Sequence, residues 1–236
     1  MTNNYIYATW RTDKAKEEGF SHELISTDFE KVRTTTTIDE LNVYPYPGVD
    51  TIYKALMRRA DDKVMGAKDF LGTRVGTKYE WMSYKEAADT AKNFAAGCVR
   101  LNLIPEVEGE GKMWKFIGVQ AKNRKEWNLI HLANMHTGTT TVALYDTLGV
   151  DASKYVIDQT EMTTIACSKD LVHKIVDMKF EDDSDENKKL WRLKNIVSFE
   201  GDVDKADLEK ADKCGLKIFT FGEVIEQGIS NKEFVV

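Results

Sequence analysis

Proline and cysteine are both scarce in this sequence, and each shortage excludes a class of protein. Only 3 of the 236 residues are proline, which is too few for a linker-rich or disordered chain. The 3 cysteines, Cys98, Cys167 and Cys214, are far apart and form no CxxC pair, so they favour neither a disulfide framework nor a metal site. We interpret them as small buried hydrophobic residues. We therefore expect an intracellular, reducing compartment, either the cytoplasm or the periphery of an organelle membrane.

Long apolar runs and an excess of basic charge are also missing. No stretch approaches the roughly 20 apolar residues of a membrane span, so we expect no transmembrane segment, and peripheral association with a membrane stays open. The start of the chain lacks a signal-peptide pattern, and the mature protein is expected to begin near Met1. Lys and Arg number 33 against 39 Asp and Glu. Without a basic footprint, nucleic acid is not an expected partner.

What the sequence does contain falls into two parts of different character. Residues 1–50 mix polar and aromatic side chains, and we predict an extended N-terminal segment there. Residues 51–236 carry the periodic patterns of helices and strands, and we predict a partial α/β domain. The hydrophobic fraction of 42% is high enough for that second part to bury a core.

The first elements of the α/β part have clear local signals. A short amphipathic helix is predicted to begin near Thr51, and a hairpin that turns at Gly76 follows it. Ser83 and Glu86 have the spacing of a capping box. They predict a long helix that continues to about Leu101, with one apolar face directed to the core.

Beyond these elements the sequence alternates short apolar runs with amphipathic stretches. The predicted strands cover residues 116–121, 139–144, 163–167, 195–199 and 216–221. The predicted helices cover residues 124–135, 150–159, 169–178 and 205–213. Alternation with short connections implies parallel strands joined by right-handed crossovers. The fold class is therefore α/β, with a mostly parallel sheet flanked by helices.

Helix ends in this region are also predicted from local signals. Asn123 and Glu126 have capping-box spacing, and Ser168 precedes the helix at residues 169–178. Gly138 lies among threonines and could suggest a phosphate loop. The chain, however, runs straight into a strand without a lysine or further glycines, so we interpret Gly138 as a helix stop.

Two acidic segments are predicted to be loops. Residues 106–111 contain three glutamates and two glycines, which favours a connection over a strand. Residues 181–189 are too polar for either a helix or a strand, and we predict a solvated loop. A calcium site in the second segment would need a glycine-centred loop, which that run lacks.

Two motifs resemble a known family. Residues 117–127, Ile-Gly-Val-Gln-Ala-Lys-Asn-Arg-Lys-Glu-Trp, are followed by residues 142–149, Val-Ala-Leu-Tyr-Asp-Thr-Leu-Gly. Together, and at this separation, they closely resemble the N-terminal region of long-chain acyl-CoA synthetases, which are members of the adenylate-forming superfamily. The likeness covers about residues 51–228. The family usually has proline where Lys125 and Ala143 stand, and these departures affect local rigidity more than chemistry.

The resemblance implies the incomplete leading part of the large N-terminal domain of an adenylate-forming enzyme. Complete members activate a fatty acid with ATP and magnesium, release pyrophosphate and transfer the acyl group to coenzyme A. They rely on a Ser/Thr/Gly-rich phosphate loop, on later acidic residues and on a lysine of a mobile C-terminal domain. None of these motifs is found in the 236 residues. We therefore assign no catalytic, cofactor-binding or metal-binding residue, and expect this chain alone to be inactive.

The resemblance and the strand pattern leave one pair of candidate contact residues. Tyr145 and Asp146 follow the predicted strand at residues 139–144. Ligands of α/β proteins bind at the carboxyl ends of parallel strands, so these residues are candidates for contact with a substrate or a partner segment. We interpret Asn123, Glu126 and Asp146 mainly as structural residues at helix starts and turns.

Two functions follow as hypotheses. The chain is part of a long-chain acyl-CoA synthetase, or it is a truncated, inactive relative that serves as an accessory subunit of a larger assembly. A stand-alone nucleotide-binding module is a third reading, which the missing glycine loops disfavour. A sheet cut before its later strands leaves an open edge. We therefore expect another protein chain, or the missing C-terminal portion, as a partner.

Overall fold

A computed structural model describes most of the chain and divides it into two compact units. The described residues are 8–10, 15–22, 24–26, 48–145, 147–184, 188–231 and 234. The units are Met1–Ala55 and Leu56–Val236; the domain boundary predicted after residue 50 stays a prediction. In the first unit, β1 (Ala8–Trp10) pairs antiparallel with β2 (Leu24–Ser26). No helix among the described residues is long and apolar enough to span a membrane.

The predicted helix, hairpin and long helix are all confirmed. Helix α1 is Ile52–Ala60, strands β3 and β4 are Asp69–Val75 and Lys78–Ser83, and helix α2 is Tyr84–Arg100. At the start of α2 the Ser83 hydroxyl accepts the Glu86 N–H at 3.2 Å. The Glu86 carboxylate in turn accepts the Ser83 N–H at 2.7 Å. These two bonds form the predicted capping box.

The rest of the second unit is an α/β sheet. Its strands are β5 (Glu106–Gly109), β6 (Lys112–Gln120), β7 (Thr140–Ala143), β8 (Thr164–Cys167), β9 (Asn195–Ser198) and β10 (Lys217–Thr220). Its helices are α3 (Lys125–Thr137), α4 (Val150–Thr160), α5 (Lys169–Asp182), α6 (Lys205–Lys213) and α7 (Phe221–Ile229). The parallel strands lie in the order β10-β9-β8-β6-β7, and β5 pairs antiparallel with the first half of β6. The predicted α/β class and mostly parallel sheet are confirmed.

Alternating side chains divide the interior into two layers. Ile117 and Val119 of β6 face one layer, which also contains buried residues of α2, α3 and α7. Ile165 and Ile196 face the other, which contains buried residues of α4, α5 and α6. Because side chains of a strand alternate with period two, each apolar strand supplies both layers. The three cysteines are buried, as predicted.

The prediction of a loop at residues 106–111 is wrong. Residues 106–109 form β5, and Glu110 and Gly111 turn the chain back into β6 with φ values of 52° and 74°. Two successive positive φ values fit a tight hairpin turn. The acidic composition hid this strand because its glutamates are exposed and only Val107 is buried. Helix α7 was also not predicted; it begins with a capping box between Thr220 and Glu223.

The acidic run at residues 181–189 is only in part the solvated loop that was predicted. Helix α5 continues to Asp182, and that side chain is buried. Its carboxylate accepts the backbone N–H of Leu190 at 2.8 Å and that of Lys189 at 3.3 Å. A buried carboxylate requires such donors. Asp182 therefore anchors the following segment, a role that composition alone did not reveal.

Helices α2 and α7 approach each other through two glycines. A Cβ on Gly97 would lie 1.9 Å from the Val224 carbonyl oxygen, and one on Gly228 would lie 1.7 Å from the Asn93 carbonyl oxygen. Both obstacles are backbone atoms, which cannot rotate away as a side chain does. The two helices can keep this separation only while both positions remain glycine.

We expect Gly228→Ala to destabilise the protein by about 3 kcal/mol, the upper end of the usual overpacking range, because α7 must shift away from α2. Gly222→Ala is the matched control in the same helix. There the nearest atom to an added Cβ is 3.9 Å away, and we expect unchanged stability or a gain of up to about 1 kcal/mol. Urea unfolding followed by circular dichroism measures both. Equal effects of the two substitutions would contradict the close packing.

A second stability prediction concerns Phe94, which is fully buried in α2 and stacks on Phe221 with ring centroids 4.7 Å apart. Phe94→Ala should lower the free energy of unfolding by roughly 3–5 kcal/mol, since it removes apolar burial and leaves a cavity. Val99→Ala, at an exposed position of the same helix, should cost less than about 1 kcal/mol. A loss for Phe94→Ala as small as that for Val99→Ala would place α2 outside the core.

Candidate functional site

The strand order points to one edge of the sheet as the candidate site. After β6 the chain forms β7 on one side, and it then crosses to β8 on the other side of β6. Doubly wound sheets bind ligands at such a reversal, outside the carboxyl ends of the strands. The relevant residues are therefore those that follow β6, β7, β8 and β9.

Arg124 is the central side chain of this edge. It lies between β6 and α3, and its Nε donates to Glu126 Oε2 at 2.6 Å. Its Nη1 donates to Glu200 Oε1, also at 2.6 Å. The guanidinium carbon lies 4.9 Å from the ring centroid of Phe199. Arg124 therefore bridges two carboxylates while stacking on an aromatic face, a geometry that suits a planar guanidinium.

The charge of Arg124 is permanent in this setting. Burial by itself lowers the pKa of the guanidinium, but hydrogen bonds and the negative charges of Glu126 and Glu200 outweigh burial and raise the pKa. The Arg124 and Glu126 side chains are 29% and 11% exposed, so water screens the pair only in part. Two carboxylates and one guanidinium thus form a unit joined by charge-assisted hydrogen bonds.

Glu200 connects this unit to a third segment of chain. Its second oxygen, Oε2, accepts the backbone N–H of Lys169 at 2.8 Å. Lys169 is the first residue of α5, and Ser168, which precedes it, makes no side-chain capping bond. Ser168 precedes α5 as predicted. The first free N–H of the helix, that of Lys169, binds the carboxylate of Glu200, which is 31 positions away. The network therefore joins the segments after β6, β8 and β9.

An acidic groove extends from this network. Its volume is about 540 Å³, and its lining residues are Lys169, Asp170, His173, Glu200, Asp202, Val203, Asp204 and Asp207. The Lys169 ammonium donates to Asp202 at 2.6 Å. That bond raises the pKa of Lys169 and lowers the pKa of Asp202. With its cation already paired among carboxylates, the groove repels anionic ligands such as nucleotides.

Of the two predicted contact residues, the structure describes Tyr145. Tyr145 follows β7 with an exposed ring, and its carbonyl accepts the Leu148 N–H at 3.0 Å to form a turn. Asp146 lies outside the described residues. Contact of either residue with a substrate or a partner stays a prediction.

The capping box predicted for Asn123 and Glu126 is wrong. The residue preceding α3 is Arg124, and no side chain caps that helix end. The Glu126 carboxylate binds the guanidinium instead. In the bond to arginine both partners are charged, whereas a backbone N–H is neutral, which explains why the carboxylate binds the nearby cation.

Sequence reasoning missed Glu200, Lys169 and Asp202 as members of the site. Arg124 and Glu200 are 76 positions apart, and no periodic pattern links them. The signal available in the sequence was position, since each of these charged residues lies within three residues after the end of a predicted strand. Among the residues that the structure describes, no group of three or more His, Cys, Asp or Glu side chains could hold a metal ion.

Comparisons with known proteins agree with this architecture. Residues 57–219 match the family model described as AMP-binding enzyme. Fatty acyl-CoA synthetase B of Dictyostelium discoideum is 26% identical over 78% of this chain and 25% of its own length. Long-chain-fatty-acid–CoA ligase 1 of Cavia porcellus is 29% identical over 90% of this chain and 28% of its own length. The chain thus spans about a quarter of the length of these relatives.

A solved structure shows the same fold. The adenylation domain of a carboxylate reductase from Mycobacterium chelonae superposes with a TM-score of 0.63 at 17% identity, over 77% of this chain and 29% of that one. At this identity the match concerns the fold alone. Since the family model covers more than half of the residues, the chain belongs to the AMP-binding enzyme family.

Proposed function

We propose that this chain is the N-terminal part of a long-chain fatty acid–CoA ligase. Such an enzyme converts a fatty acid, ATP and coenzyme A to acyl-CoA, AMP and pyrophosphate. The observation that carries the proposal is the similarity to fatty acyl-CoA synthetases and long-chain ligases along 78% and 90% of the chain. The motifs at residues 117–127 and 142–149 lie within the matched family model, which supports the same reading.

In this proposal the chain supplies a scaffold rather than reacting groups. The described residues do not fit ATP with magnesium. Three carboxylates at the sheet edge are bound to Arg124 or Lys169, and no group of three or more His, Cys, Asp or Glu side chains in the described part of the chain could hold a metal ion. We therefore derive no step through the nucleotide. The residues that would bind ATP, magnesium and coenzyme A belong to a portion of the enzyme beyond the residues described. Arg124 and Glu200 hold the edge on which that portion would pack.

An accessory subunit without catalytic activity is the second candidate. The observation that favours it is the Arg124 network, which fills the strand reversal with paired charges. Charged side chains at a position where ligands usually bind are thereby bound to one another. The proposed partner is then a separate protein chain, and the proposed location in either case is intracellular, in the cytoplasm or at an organelle surface.

The native protein distinguishes the two candidates. The mass of the 236 residues is 26.9 kDa, and a ligase needs the additional phosphate-handling part. We expect the polypeptide purified from its natural source to have a much larger mass and to show ATP–pyrophosphate exchange that depends on a long-chain fatty acid. We expect the 236-residue chain alone to show no exchange above background.

Each possible result rejects part of the proposal. A native mass of 26.9 kDa without exchange would reject the ligase and support the accessory subunit. Exchange by the 236-residue chain alone would reject the scaffold role. Activity of the native enzyme with short acids only would retain the family but reject the long-chain substrate.

The scaffold role also predicts strong coupling between Arg124 and Glu200. In a double-mutant cycle with Arg124→Met and Glu200→Gln, we expect a coupling free energy of about 1 kcal/mol, because the two side chains are 29% and 36% exposed and water screens their charges only in part. Lys205→Met and Glu209→Gln form the control cycle, since that pair is 89% and 62% exposed at 3.7 Å. Its coupling should stay below about 0.5 kcal/mol. Similar values for the two pairs, measured by urea unfolding, would contradict a structural role for Arg124.

A further inference from the structure

The solvent-facing side of the β3–β4 hairpin carries two large aromatic side chains. Trp81 is 54% exposed and Tyr79 is 58% exposed. The strand register pairs Trp81 with Gly72 and Tyr79 with Arg74, and residues two apart on one strand share a face. All four residues are exposed, so together they form one surface, called here the aromatic face.

The opposite face of the hairpin is directed to the protein. Leu71 and Met82 lie opposite each other on it and pack against the core layer that contains Phe94. Thr73 and Glu80 form the next pair on that face. When one face of an antiparallel sheet packs on a core, the other face is normally polar. The aromatic rings on the solvent side break this rule, and exposed apolar patches are typical of interaction surfaces.

The two aromatic rings are held in position by the hairpin itself. Their centroids are 5.9 Å apart, and their planes are inclined by 29°. A Cβ on Gly72 would lie 2.8 Å from the Trp81 indole, so the indole lies over the glycine backbone. Because the rings are already ordered, little conformational entropy is lost when a partner covers them.

The charges beside the aromatic face are positive. Residues 74–79 contain Arg74 and Lys78 and no carboxylate. Neither cation forms an ion pair in the described part of the chain, and the Arg74 Nε donates to the Gly76 carbonyl oxygen at 3.1 Å. Val75, which is 50% exposed, adds an apolar side chain at the same turn. This end of the hairpin therefore complements a surface that is anionic outside and apolar beneath.

We propose that the aromatic face lies on the surface of a membrane that contains anionic phospholipids. Tyr and Trp side chains favour the boundary between headgroups and hydrocarbon, since each combines an apolar ring with a polar group. Lys and Arg beside them interact with the anionic headgroups while their charged ends stay in water. The phospholipid is a docking surface in this proposal and not a substrate. The proposal rests on the hairpin and not on the ligase assignment, so either can fail alone.

A second exposed tryptophan provides a matched comparison. Trp191 lies in the turn before β9 and is also 54% exposed. The Arg192 guanidinium lies 5.4 Å from the centroid of its ring, and Arg192 forms an ion pair with Glu161 at 2.9 Å. A cation that is already paired attracts an anionic surface less than an unpaired one. We therefore assign the membrane contact to the hairpin and use Trp191 as the control position.

Co-sedimentation of the 236-residue chain with two kinds of vesicle tests the proposal. One kind contains phosphatidylcholine alone, and the other contains equal parts of phosphatidylcholine and phosphatidylserine. We expect the chain to bind the mixed vesicles about ten times more tightly than the neutral ones, and to bind less tightly as salt is added. Equal binding to both kinds would overturn the proposal. Binding to neither would also overturn it and would leave the aromatic face to a protein partner.

Substitutions test which residues contact the vesicle. Trp81→Ser should weaken binding to the mixed vesicles about tenfold, and Lys78→Gln should weaken it about fivefold. Trp191→Ser and Lys194→Gln are the matched controls, because they change the same residue types at exposed positions outside the hairpin. The affinity of each control should stay within about twofold of that of the unmodified chain. Equal losses in the hairpin variants and the controls would reject the aromatic face as the contact.

Fluorescence quenching locates the contact even if Trp81→Ser disturbs the hairpin. Mixed vesicles whose acyl chains carry bromine quench a tryptophan that reaches the bilayer. Trp81→Phe keeps an apolar ring at the position but removes the fluorophore, so we expect it to abolish most of the quenching that the unmodified chain shows. Trp191→Phe should leave the quenching unchanged. Quenching that persists in Trp81→Phe and disappears in Trp191→Phe would place the wrong surface on the membrane and overturn the proposal.

Discussion

The bond between the Arg124 guanidinium and two carboxylates is the constraint on which the carboxyl edge of the sheet depends. A guanidinium that cannot lose its proton, and that is 29% exposed, requires negative partners from the protein. Glu126 provides one from the start of α3, and Glu200 provides the other from the segment after β9. Because Glu200 also accepts the first N–H of α5, a single cation sets the positions of two helix starts and one loop.

The helices on the two faces of the sheet pack differently. On one face, α2 and α7 are in contact through Gly97 and Gly228. On the other face, Gly118 of β6 allows the segment after α4 to approach the strand, since an added Cβ would lie 2.8 Å from Met162 Sδ. Nearer the carboxyl end, α4 and α5 border a cavity of about 360 Å³. This face of the sheet thus contains a close approach at Gly118 and an open space beyond it.

Local patterns predicted what depends on local physics. The five parallel strands, the hairpin at Gly76 and the Ser83 cap follow from period-two alternation, turn chemistry and hydrogen bonds three residues apart. The failures share a different cause. Asp182 is buried because backbone donors seven and eight residues ahead bind it, and Glu126 binds the nearby Arg124 in place of its expected cap. The hydrogen-bond partners that each carboxylate finds in the folded chain decide these positions, and neither composition nor periodicity records them.

This difference explains why the motif at residues 117–127 identifies the family without identifying a reaction. Arg124 and Glu126 are the charged residues of that motif that the structure shows paired, and what they bind is the protein itself. Substituting Arg124 would leave the Glu126 carboxylate, which is 11% exposed, without its cation, and substituting Glu126 would leave Arg124 with Glu200 alone. Such residues are held in place by the fold rather than by a substrate. The sequence similarity at these two residues therefore reflects how the sheet edge is held together. The side chains that carry out the chemistry of the family have to be other ones.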